Sequence, residues 1–453
     1  MTAWLLRRAA VTPDEQRDLG VAGGRWVDPA ALPAGADVLD LDGRPVIAGL
    51  VDQHSHLRAL AASWASVDVS PEGLHLAGGL RAALTRGRAR RPTGWLRAVG
   101  YDTVVSGPLD RDGLDAAGAG PVRVQDRSGV LWVLDSTGLE AVLPAHPADW
   151  PSGVETDVAG RVTGRLFRVD AWLRDRVPST MPDLVEVGRW LARRGVTTVV
   201  DASATNGPAE LDHFAAAGLP QRLVVMTADA DVTAPPGVTL GPVKVMLDDT
   251  ALPSLDELTG RVTAAHAAGR AVAVHCVTTV QLVLALSAGL DRGDRIEHGS
   301  VIPDDVVPLV AGRGVTVVTQ PGLIRTRGDR YLREVEEHEV DALYRLGALR
   351  RAGIPVAIGT DAPYGPADPW THVAAALDRR TVGGALVGVD EEVDLATAVS
   401  LLQRDPLAPD RAAGMAVGGE ADFCVLDTGW TELGRDPSVA SIASTWIGGS
   451  VVT

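Results

Sequence analysis

The chain has 453 residues, of which 46% are apolar and 22% are charged, a composition typical of soluble globular proteins. Its 58 acidic and 42 basic residues give a net charge of −16, which argues against a nucleic-acid or anionic-membrane partner. The two cysteines cannot make a disulfide framework. No basic-then-apolar signal segment opens the chain. We therefore expect a cytoplasmic protein.

Short strands and turns are predicted at both chain ends, in residues 1–47 and 416–453. Neither segment has enough strands for independent stability, so we expect the two ends to form one composite β-sandwich. Between them, residues 48–415 alternate β-rich runs with helical patterns, which is typical of a parallel sheet with right-handed crossovers. Eight such runs predict an α/β fold of the (β/α)8 TIM-barrel type, whose chemistry lies at the C-terminal ends of the strands. The runs are VIAGLVDQHSH (46–56), VTTVVDAS (196–203), QRLVVMTA (221–228), VKVML (243–247), AVAVHCV (271–277), DRIEHGS (294–300), VTVVTQ (315–320) and PVAIGTDAP (355–363).

The interval between the first and fourth runs is too long for the barrel alone. Residues 57–243 should hold only three strand–helix units of about 30 residues each. The excess predicts an insertion after strand 1, at about residues 65–182, with strand-like and helix-like pieces of its own. An insertion at this point is expected to contribute to the substrate pocket.

One uncharged stretch, residues 271–290, is long enough to span a bilayer. It divides, however, into a β-branched run, AVAVHCV, and a helix-like run, VQLVLALSAGL, with Thr278 and Thr279 as a cap between them. We therefore predict a buried strand followed by a helix, and no membrane partner.

Lysine is almost absent from the chain: of the 42 basic residues only Lys244 is a lysine. The composition indicates a coding bias that replaces lysine by arginine wherever arginine will serve. Unlike arginine, a buried lysine can lose its proton and react as an amine. Lys244 is therefore a candidate for chemistry that arginine cannot perform, with chance survival of one lysine as the alternative.

Polar residues lie at the ends of several predicted barrel strands. His54 and His56 form an H-x-H pair at the end of strand 1, and residues i and i+2 of a strand share a face. Each residue alone has a structural alternative, since an H-x-H pair is often a surface pair and Asp361 could cap a helix. Together they predict a metal site at the barrel mouth, with ligands that suit zinc. The six candidate ligands are His54, His56, Lys244, His275, His298 and Asp361.

Several of these motifs resemble those of the metal-dependent amidohydrolase superfamily. VIAGLVDQHSH is similar to its strand-1 signature, and RIEHGS and GTDAPYG are similar to its strand-6 and strand-8 signatures. The segments DRSGVLWVLDS (126–136), GRLFRVDAWL (164–173) and 328–370 resemble the N-substituted formamide deformylase-like branch. The resemblance covers nearly the whole chain and implies an enzyme that hydrolyses carbon–nitrogen bonds other than peptide bonds.

The resemblance also implies a role for each candidate ligand. His54, His56 and Asp361 would hold a buried metal ion. His275 and His298 would hold a second ion, and a carboxylated Lys244 would bridge the two, which we expect to be zinc or another divalent transition metal. Asp361 would act as the catalytic residue that moves a proton from the attacking water to the leaving amine. Thr278 stands where deaminases of the superfamily carry an acid/base glutamate, which argues against ring deamination.

Substrate residues are less clearly marked. Arg325, Arg327, Arg330 and Tyr331 follow strand 7 and could bind a carboxylate, with a solvated charged loop as the alternative. Trp132 and Tyr364 could form apolar walls, although a core role is an alternative for Trp132. The substrate-binding candidates are Arg127, Trp132, Arg330, Tyr331 and Tyr364. Glu297 is expected to point away from the site, because it alternates with His298 along strand 6.

Three hypotheses remain open on the sequence. The first is a hydrolase that cleaves an amide or formamide bond of a small molecule with a metal-activated hydroxide. The second is a catalytically silent barrel that acts as a binding or scaffold protein, although none of the six ligands is missing. The third is an ester or lactone hydrolase that uses the same site. The substrate, the number of metal ions and the oligomeric state stay open, a homo-oligomer being one option.

Overall fold

The computed structural model describes residues 3–178 and 181–453. The chain divides into two compact units. Met1–Leu57 and Asp183–Thr453 form the first, and Arg58–Pro182 form the second. Each unit has its own sheets and its own hydrophobic core.

Eight parallel strands form the sheet of the first unit, and their order follows the chain, so that the first and last strands stand at its two ends. Most of their residues are buried, as is usual for parallel strands that are covered on both faces. The predicted (β/α)8 barrel is therefore confirmed. Barrel strands 1 to 8 are Leu50–Ser55, Val196–Asp201, Arg222–Thr227, Val238–Val245, Val272–Cys276, Arg295–His298, Thr316–Thr319 and Val356–Ile358.

Helices connect these strands, and their ends carry recognisable capping chemistry. Ser254 and Glu257 form a capping box at the start of Leu255–Ala267. Gly314, at φ 68°, ends the helix Val307–Arg313 in the left-handed conformation that glycine adopts most easily. The other helices of the first unit are Val185–Ala192, Pro208–Ala216, Thr279–Ser287, Gly322–Glu334, Gly347–Arg351, Pro369–Asp378, Leu395–Leu401 and Trp430–Arg435, with 3-10 turns at Pro29–Ala31, Glu337–Ala342, Val389–Glu391 and Pro437–Val439.

The uncharged stretch at residues 271–290 folds as predicted, into barrel strand 5 and the helix Thr279–Ser287. Thr278 caps that helix by accepting a hydrogen bond from the backbone N–H of Gln281. Among the described residues, no helix combines the length and the hydropathy needed to cross a bilayer.

Small sheets from the chain ends pack beside one another. One sheet has the order Arg25–Val27, Glu15–Ala22, Ala3–Thr12, Asp37–Asp40, and the other has the order Ser450–Val451, Ile442–Ile447, Phe423–Leu426, Val46–Ala48. Trp26 and Phe423, one from each sheet, have ring centroids 5.0 Å apart in their shared core. The predicted contribution of both chain ends to one sandwich is confirmed.

The run VIAGLVDQHSH is not one strand, as predicted, but two. Val46–Ala48 pairs with Phe423–Leu426, whereas Leu50–Ser55 is barrel strand 1. Gly49 separates them, and a Cβ on Gly49 would lie 2.2 Å from Thr197 Oγ1. The close approach of Thr197 explains why glycine stands where the chain passes from one sheet to the other.

The second unit contains a six-stranded mixed sheet with helices. Its strand order is Val154–Thr156, Val162–Phe167, Leu131–Leu134, Val122–Asp126, Leu96–Tyr101, Val67–Asp68. One face packs on an apolar core with the helices Leu80–Arg90 and Arg111–Ala117. The remaining elements are the helices Leu57–Trp64, which begins at the end of the first unit, Pro71–Ala77, Thr103–Ser106, Ser136–Val142 and Asp170–Arg174, and a 3-10 turn at Pro147–Asp149.

Barrel strands 1 and 8 meet through side-chain and backbone hydrogen bonds. Asp52 accepts from the backbone N–H of Thr360 (2.8 Å) and from its hydroxyl (2.6 Å). The N–H of Asp361 donates to the carbonyl of His54 (2.7 Å). A Cβ on Gly359 would lie 2.5 Å from both the Cβ and the backbone nitrogen of His54. Glycine is thus required where strand 8 passes His54.

We predict that Gly359→Ala lowers the stability by about 1–3 kcal/mol, because the added methyl group forces strands 1 and 8 apart. Thermal unfolding followed by circular dichroism measures this change. Gly260→Ala is the control: outside its own helix backbone and chain neighbours, no heavy atom of a described residue lies within 4 Å of the Cβ it would add, and alanine favours a helix by about 0.5–1 kcal/mol. A wild-type melting temperature in Gly359→Ala would contradict the close packing of the two strands.

Candidate metal centre

Four histidines and one aspartate converge at the C-terminal ends of the barrel strands. The ring centroids of His54 and His298 are 4.7 Å apart, those of His275 and His298 are 4.5 Å apart, and those of His54 and His56 are 5.3 Å apart. Asp361 Oδ1 lies 3.2 Å from His56 Nε2 and 3.6 Å from His54 Nε2. The structure therefore brings together side chains from strands 1, 5, 6 and 8.

Three of these side chains already form a group of metal-ligand geometry. His54, His56 and Asp361 each offer one ligand atom, and these atoms lie within 4.8 Å of one another. Two imidazoles and a carboxylate are donors that suit zinc and neighbouring transition metals. The donor set thus fits a divalent cation.

Burial keeps the imidazoles neutral. It lowers the pKa of His54 to about 3 and that of His275 to about 2, and it also lowers the pKa of His298. A proton on Lys244 would act in the same direction on all three. A neutral imidazole has the lone pair that a metal ligand needs, so at neutral pH these histidines are in the form that binds cations.

Lys244 lies in barrel strand 4 with only 1% of its surface exposed. Its Nζ makes no hydrogen bond to any of the described residues. Burial lowers the pKa of Lys244, although the charges of Glu297 and Asp361 oppose the effect. An unpaired buried ammonium group is costly. The surroundings of Lys244 Nζ therefore suit a neutral amine, or an amine that is chemically modified and held by a partner.

Glu297 points towards the site, which corrects the expectation that it faces away. Its Oε2 contacts His54 Nδ1, and its Oε1 accepts a hydrogen bond of 2.7 Å from Arg295 Nε. The cause is the backbone of His298, whose φ of 69° leaves the extended conformation at the end of strand 6. Strand alternation therefore does not extend to His298, and both side chains reach the neighbourhood of His54.

The Glu297 carboxylate is held in a fully buried network. Arg295 also donates to the carbonyl of Gln53 (2.6 Å), which anchors strand 6 to strand 1. Burial alone would raise the pKa of Glu297, but the charge of Arg295 and the contact with His54 outweigh it and hold the pKa below its usual range. Glu297 therefore stays ionised and fixes the His54 ring with Nε2 directed at Asp361.

Two further imidazoles have supporting partners that the sequence did not reveal. Gln320, directly after strand 7, is 2.9 Å from His298 Nδ1, and Ser203, after strand 2, is 2.9 Å from His56 Nδ1. Bonds of this kind fix the orientation and tautomer of a metal-binding histidine. In the sequence, Gln320 and Ser203 were marked only by their position just after barrel strands. Many residues in such positions do not contact a candidate ligand.

Asp361 is poised as an ionised carboxylate. Burial would raise its pKa, but the hydrogen bond with His56 and the neighbouring imidazoles hold the pKa far below its usual range. Its backbone has φ 55°, a left-handed conformation that aspartate tolerates better than most residues. The turn after strand 8 thereby presents this carboxylate to both histidines of strand 1.

A second cluster, His266 with Asp291 and Asp294, lies away from these residues. Asp294 accepts hydrogen bonds from the backbone N–H groups of Val272 (2.7 Å) and Asp291 (2.9 Å), and its carboxylate is 3.0 Å from His266 Nε2. The carboxylate is thus already used to fasten the start of barrel strand 5, and we interpret this cluster as structural.

The two substrate candidates in the second unit have partners within that unit. Arg127 Nη1 lies 2.6 Å from Asp102 Oδ2. Trp132 is buried in an apolar core, and its Nε1 donates to Asp170 (2.8 Å). Trp132 therefore has the surroundings of a core residue, which was the alternative to a role as an apolar wall.

The three candidates of the first unit differ in their surroundings. Arg330 pairs with Glu334 one turn along the same helix, at 2.5 Å. The Tyr331 hydroxyl is 3.2 Å from that of Tyr344. The Tyr364 ring lies 5.4 Å from the ring of His56, so Tyr364 is the candidate next to the metal centre.

We predict that Glu297→Gln weakens divalent-metal binding by about 10–100-fold, because an uncharged amide no longer anchors His54 with the same strength. Titration with zinc in competition with a chromophoric chelator measures the dissociation constant. The exposed Glu432→Gln is the matched control and should bind metal as the wild type does. Equal affinity in Glu297→Gln and wild type would mean that Glu297 has only a structural role.

The sequence profile of the Amidohydrolase family matches residues 37–453. An N-substituted formamide deformylase from Arthrobacter pascens is 26% identical over 487 aligned positions, which cover 90% of this chain and 86% of that protein.

Solved structures show the same fold. An uncharacterized metal-dependent hydrolase from Pyrococcus furiosus superposes with a TM-score of 0.72 at 20% identity, over 94% of this chain and 99% of that one. Another from Pyrococcus horikoshii OT3 gives a TM-score of 0.73 at 22% identity, over 100% of both chains. Since the family profile spans almost all of the sequence, this protein belongs to the Amidohydrolase family and is a hydrolase.

Proposed function

We propose that this protein is a metal-dependent hydrolase that cleaves the C–N bond of a small-molecule amide or formamide. The observation that carries the proposal is a group of four imidazoles and an ionised carboxylate at one end of the barrel, together with the buried Lys244 Nζ, which makes no hydrogen bond to a described residue. The similarity to an N-substituted formamide deformylase supports formamides as the first substrates to test.

The donor set supports two metal positions, which we propose are filled by zinc. His54, His56 and Asp361 would hold one ion, His275 and His298 a second, and a carboxylated Lys244 would bridge them. Divalent cations there would lower the pKa of water and polarise a carbonyl group. The buried positive charge would also offset the burial of Glu297 and Asp361, each of which carries a negative charge.

Lys244 is suited to carboxylation. Burial favours the neutral amine, and a neutral Nζ can form an N–C bond with carbon dioxide and lose one proton to give a carbamate. Arginine has no amine that reacts in this way, which gives a physical reason for the single lysine of the chain.

Asp361 would move the proton. Its Oδ1 faces His54 and His56, whereas its Oδ2 makes no hydrogen bond to another described residue. Oδ2 can therefore take the proton of the attacking water and pass it to the nitrogen of the leaving amine. The low pKa of Asp361 keeps the carboxylate ionised at neutral pH, which a proton acceptor must be before it takes a proton.

Thr278 has a different task from the acid/base glutamate of deaminases. It caps the helix Thr279–Ser287, and its hydroxyl donates to Asp249 Oδ1 (3.1 Å). With no carboxylate at this position, the site favours hydrolysis of an open amide over deamination of a ring.

We predict that protein purified without chelator contains at least about one zinc ion per chain and hydrolyses formamides, because a dinuclear site of this kind activates water. His54→Ala should lose most of the metal and reduce hydrolysis by more than about 100-fold, the range of a metal-ligand loss. Elemental analysis and amine release measure the two quantities.

His338→Ala, which alters an exposed histidine, is the control and should keep both metal and activity. Metal content far below one ion per chain in the wild type, unchanged in His54→Ala, would contradict the proposal.

A second prediction concerns Lys244. Lys244→Arg should lose one metal ion and most activity although the side chain stays basic, because arginine forms no carbamate. Lys244→Met replaces the buried amine with an apolar side chain of similar length and should still fold, yet show the same metal loss. Metal analysis with thermal unfolding separates binding from folding. Wild-type metal content in Lys244→Arg would exclude the bridging role.

A further inference from the structure

Three arginines on the helix Gly322–Glu334, which follows barrel strand 7, differ in how their charges are compensated. Arg325 pairs with Asp378 (3.3 Å) and Arg330 pairs with Glu334 (2.5 Å). Arg327, between them, makes no ion pair with any acidic side chain in residues 3–178 and 181–453. Its positive charge is therefore available to an anion from solution.

Arg327 reaches the loop that carries the candidate catalytic carboxylate. Its Nη2 donates to the backbone carbonyl of Tyr364. The N–H of Tyr364 in turn donates to the carbonyl of Asp361 (2.7 Å), and its ring lies 5.4 Å from the ring of His56. One residue, Tyr364, thus separates the Arg327 guanidinium from the metal centre.

Tyrosine hydroxyls lie beside this guanidinium. Tyr331 is four residues after Arg327, on the same helix face, and its hydroxyl is 3.2 Å from that of Tyr344. Burial raises the pKa of Tyr344 well above its usual value and the Arg327 charge opposes that rise, so the guanidinium charge acts on the Tyr344 hydroxyl. Either hydroxyl can be the donor within the pair. Tyr344 is buried and also interacts with the side chain of Ser300, so the arrangement that serves a ligand is the one in which Tyr344 donates to Tyr331 and the Tyr331 proton is left for a ligand oxygen.

We propose that Arg327, assisted by the Tyr331 hydroxyl, binds a carboxylate group of the substrate, so that the natural substrate is an amide or formamide that carries a carboxylate. This inference rests on the proposed function and names its substrate class. A guanidinium matches the two oxygens of a carboxylate, and such charge-assisted bonds are among the stronger ones in proteins. Since the chain has a net charge of −16, its overall field repels anions, and a local cation is needed to hold one.

The carboxylate can lie on either side of the C–N bond, and two substrate pairs distinguish these cases. N-formylphenylalanine and N-formylphenethylamine differ only by a carboxylate on the amine side. N-benzylsuccinamate and N-benzylbutyramide differ by a carboxylate in place of a methyl group on the acyl side. Each pair is assayed with the full-length, metal-containing enzyme and its variants.

In at least one pair, wild-type kcat/KM should be higher for the acid than for its neutral partner. Arg327→Met should lower kcat/KM for that acid by at least about 10-fold more than for its neutral partner, because only the acid loses a charged contact, whereas loss of the bond to the Tyr364 carbonyl affects both. Arg327→Lys should restore part of the preference. Arg333→Met, at an exposed arginine of the same helix, should leave both values unchanged.

Direct binding of the acids, measured by isothermal titration calorimetry, separates this inference from the proposed function. Failure of the wild type to hydrolyse any of the four compounds would count against the proposed function, whereas Arg327-dependent binding of an acid would still support the carboxylate site. Equal losses on both members of each pair in Arg327→Met would overturn the inference and leave Arg327 as a structural clip for Tyr364. Equal wild-type rates and affinities for acids and neutral partners would overturn it as well.

Discussion

Burial of ionisable side chains at one end of the barrel is the constraint on which the rest of the structure depends. His54, Lys244 and Glu297 lie together with at most 1% of their surfaces exposed, where an uncompensated charge is costly. Burial keeps the imidazoles of His54, His275 and His298 neutral, whereas the carboxylates of Glu297 and Asp361 stay ionised. Neutral nitrogen donors and negative oxygen donors around one space are what a divalent cation requires, and a cation there would balance the buried negative charge.

Hydrogen bonds from two sides hold barrel strand 1, which carries His54, in place. On one side, Asp52 binds Thr360 and Gly359 allows strand 8 to pass directly over His54. On the other, Arg295 of strand 6 binds Gln53 and carries the carboxylate that orients the His54 ring. The residues that hold the ligands are therefore backbone neighbours of the ligands, and the geometry of the site follows from strand register rather than from flexible loops.

The sequence predicted the barrel because the barrel depends on strand order alone, and the same order predicts that the six polar residues lie at one end of it. Lys244 was singled out because it is the only lysine of the sequence. It failed where the backbone leaves regular geometry. Glu297 was assigned to the wrong face because the left-handed conformation of His298 cannot be read from a strand pattern. Gly49 divides a run that looks like one strand, because the approach of Thr197 is a tertiary contact. Likewise, the sequence did not distinguish the surroundings of Arg327 from those of Arg330. In the structure Arg330 pairs with the Glu334 carboxylate, whereas Arg327 has no acidic partner among the described residues.

Anomalous X-ray diffraction at the zinc absorption edge, from crystals of protein purified without chelator, tests the central claim most directly. We expect peaks at the barrel mouth, one between His54, His56 and Asp361 and one beside His275 and His298, with carbamate density on Lys244 between them. Absence of any peak among these side chains, with the imidazoles hydrogen-bonded to one another or to water, would show that the cluster is stable without a cation and would contradict a metal-dependent mechanism.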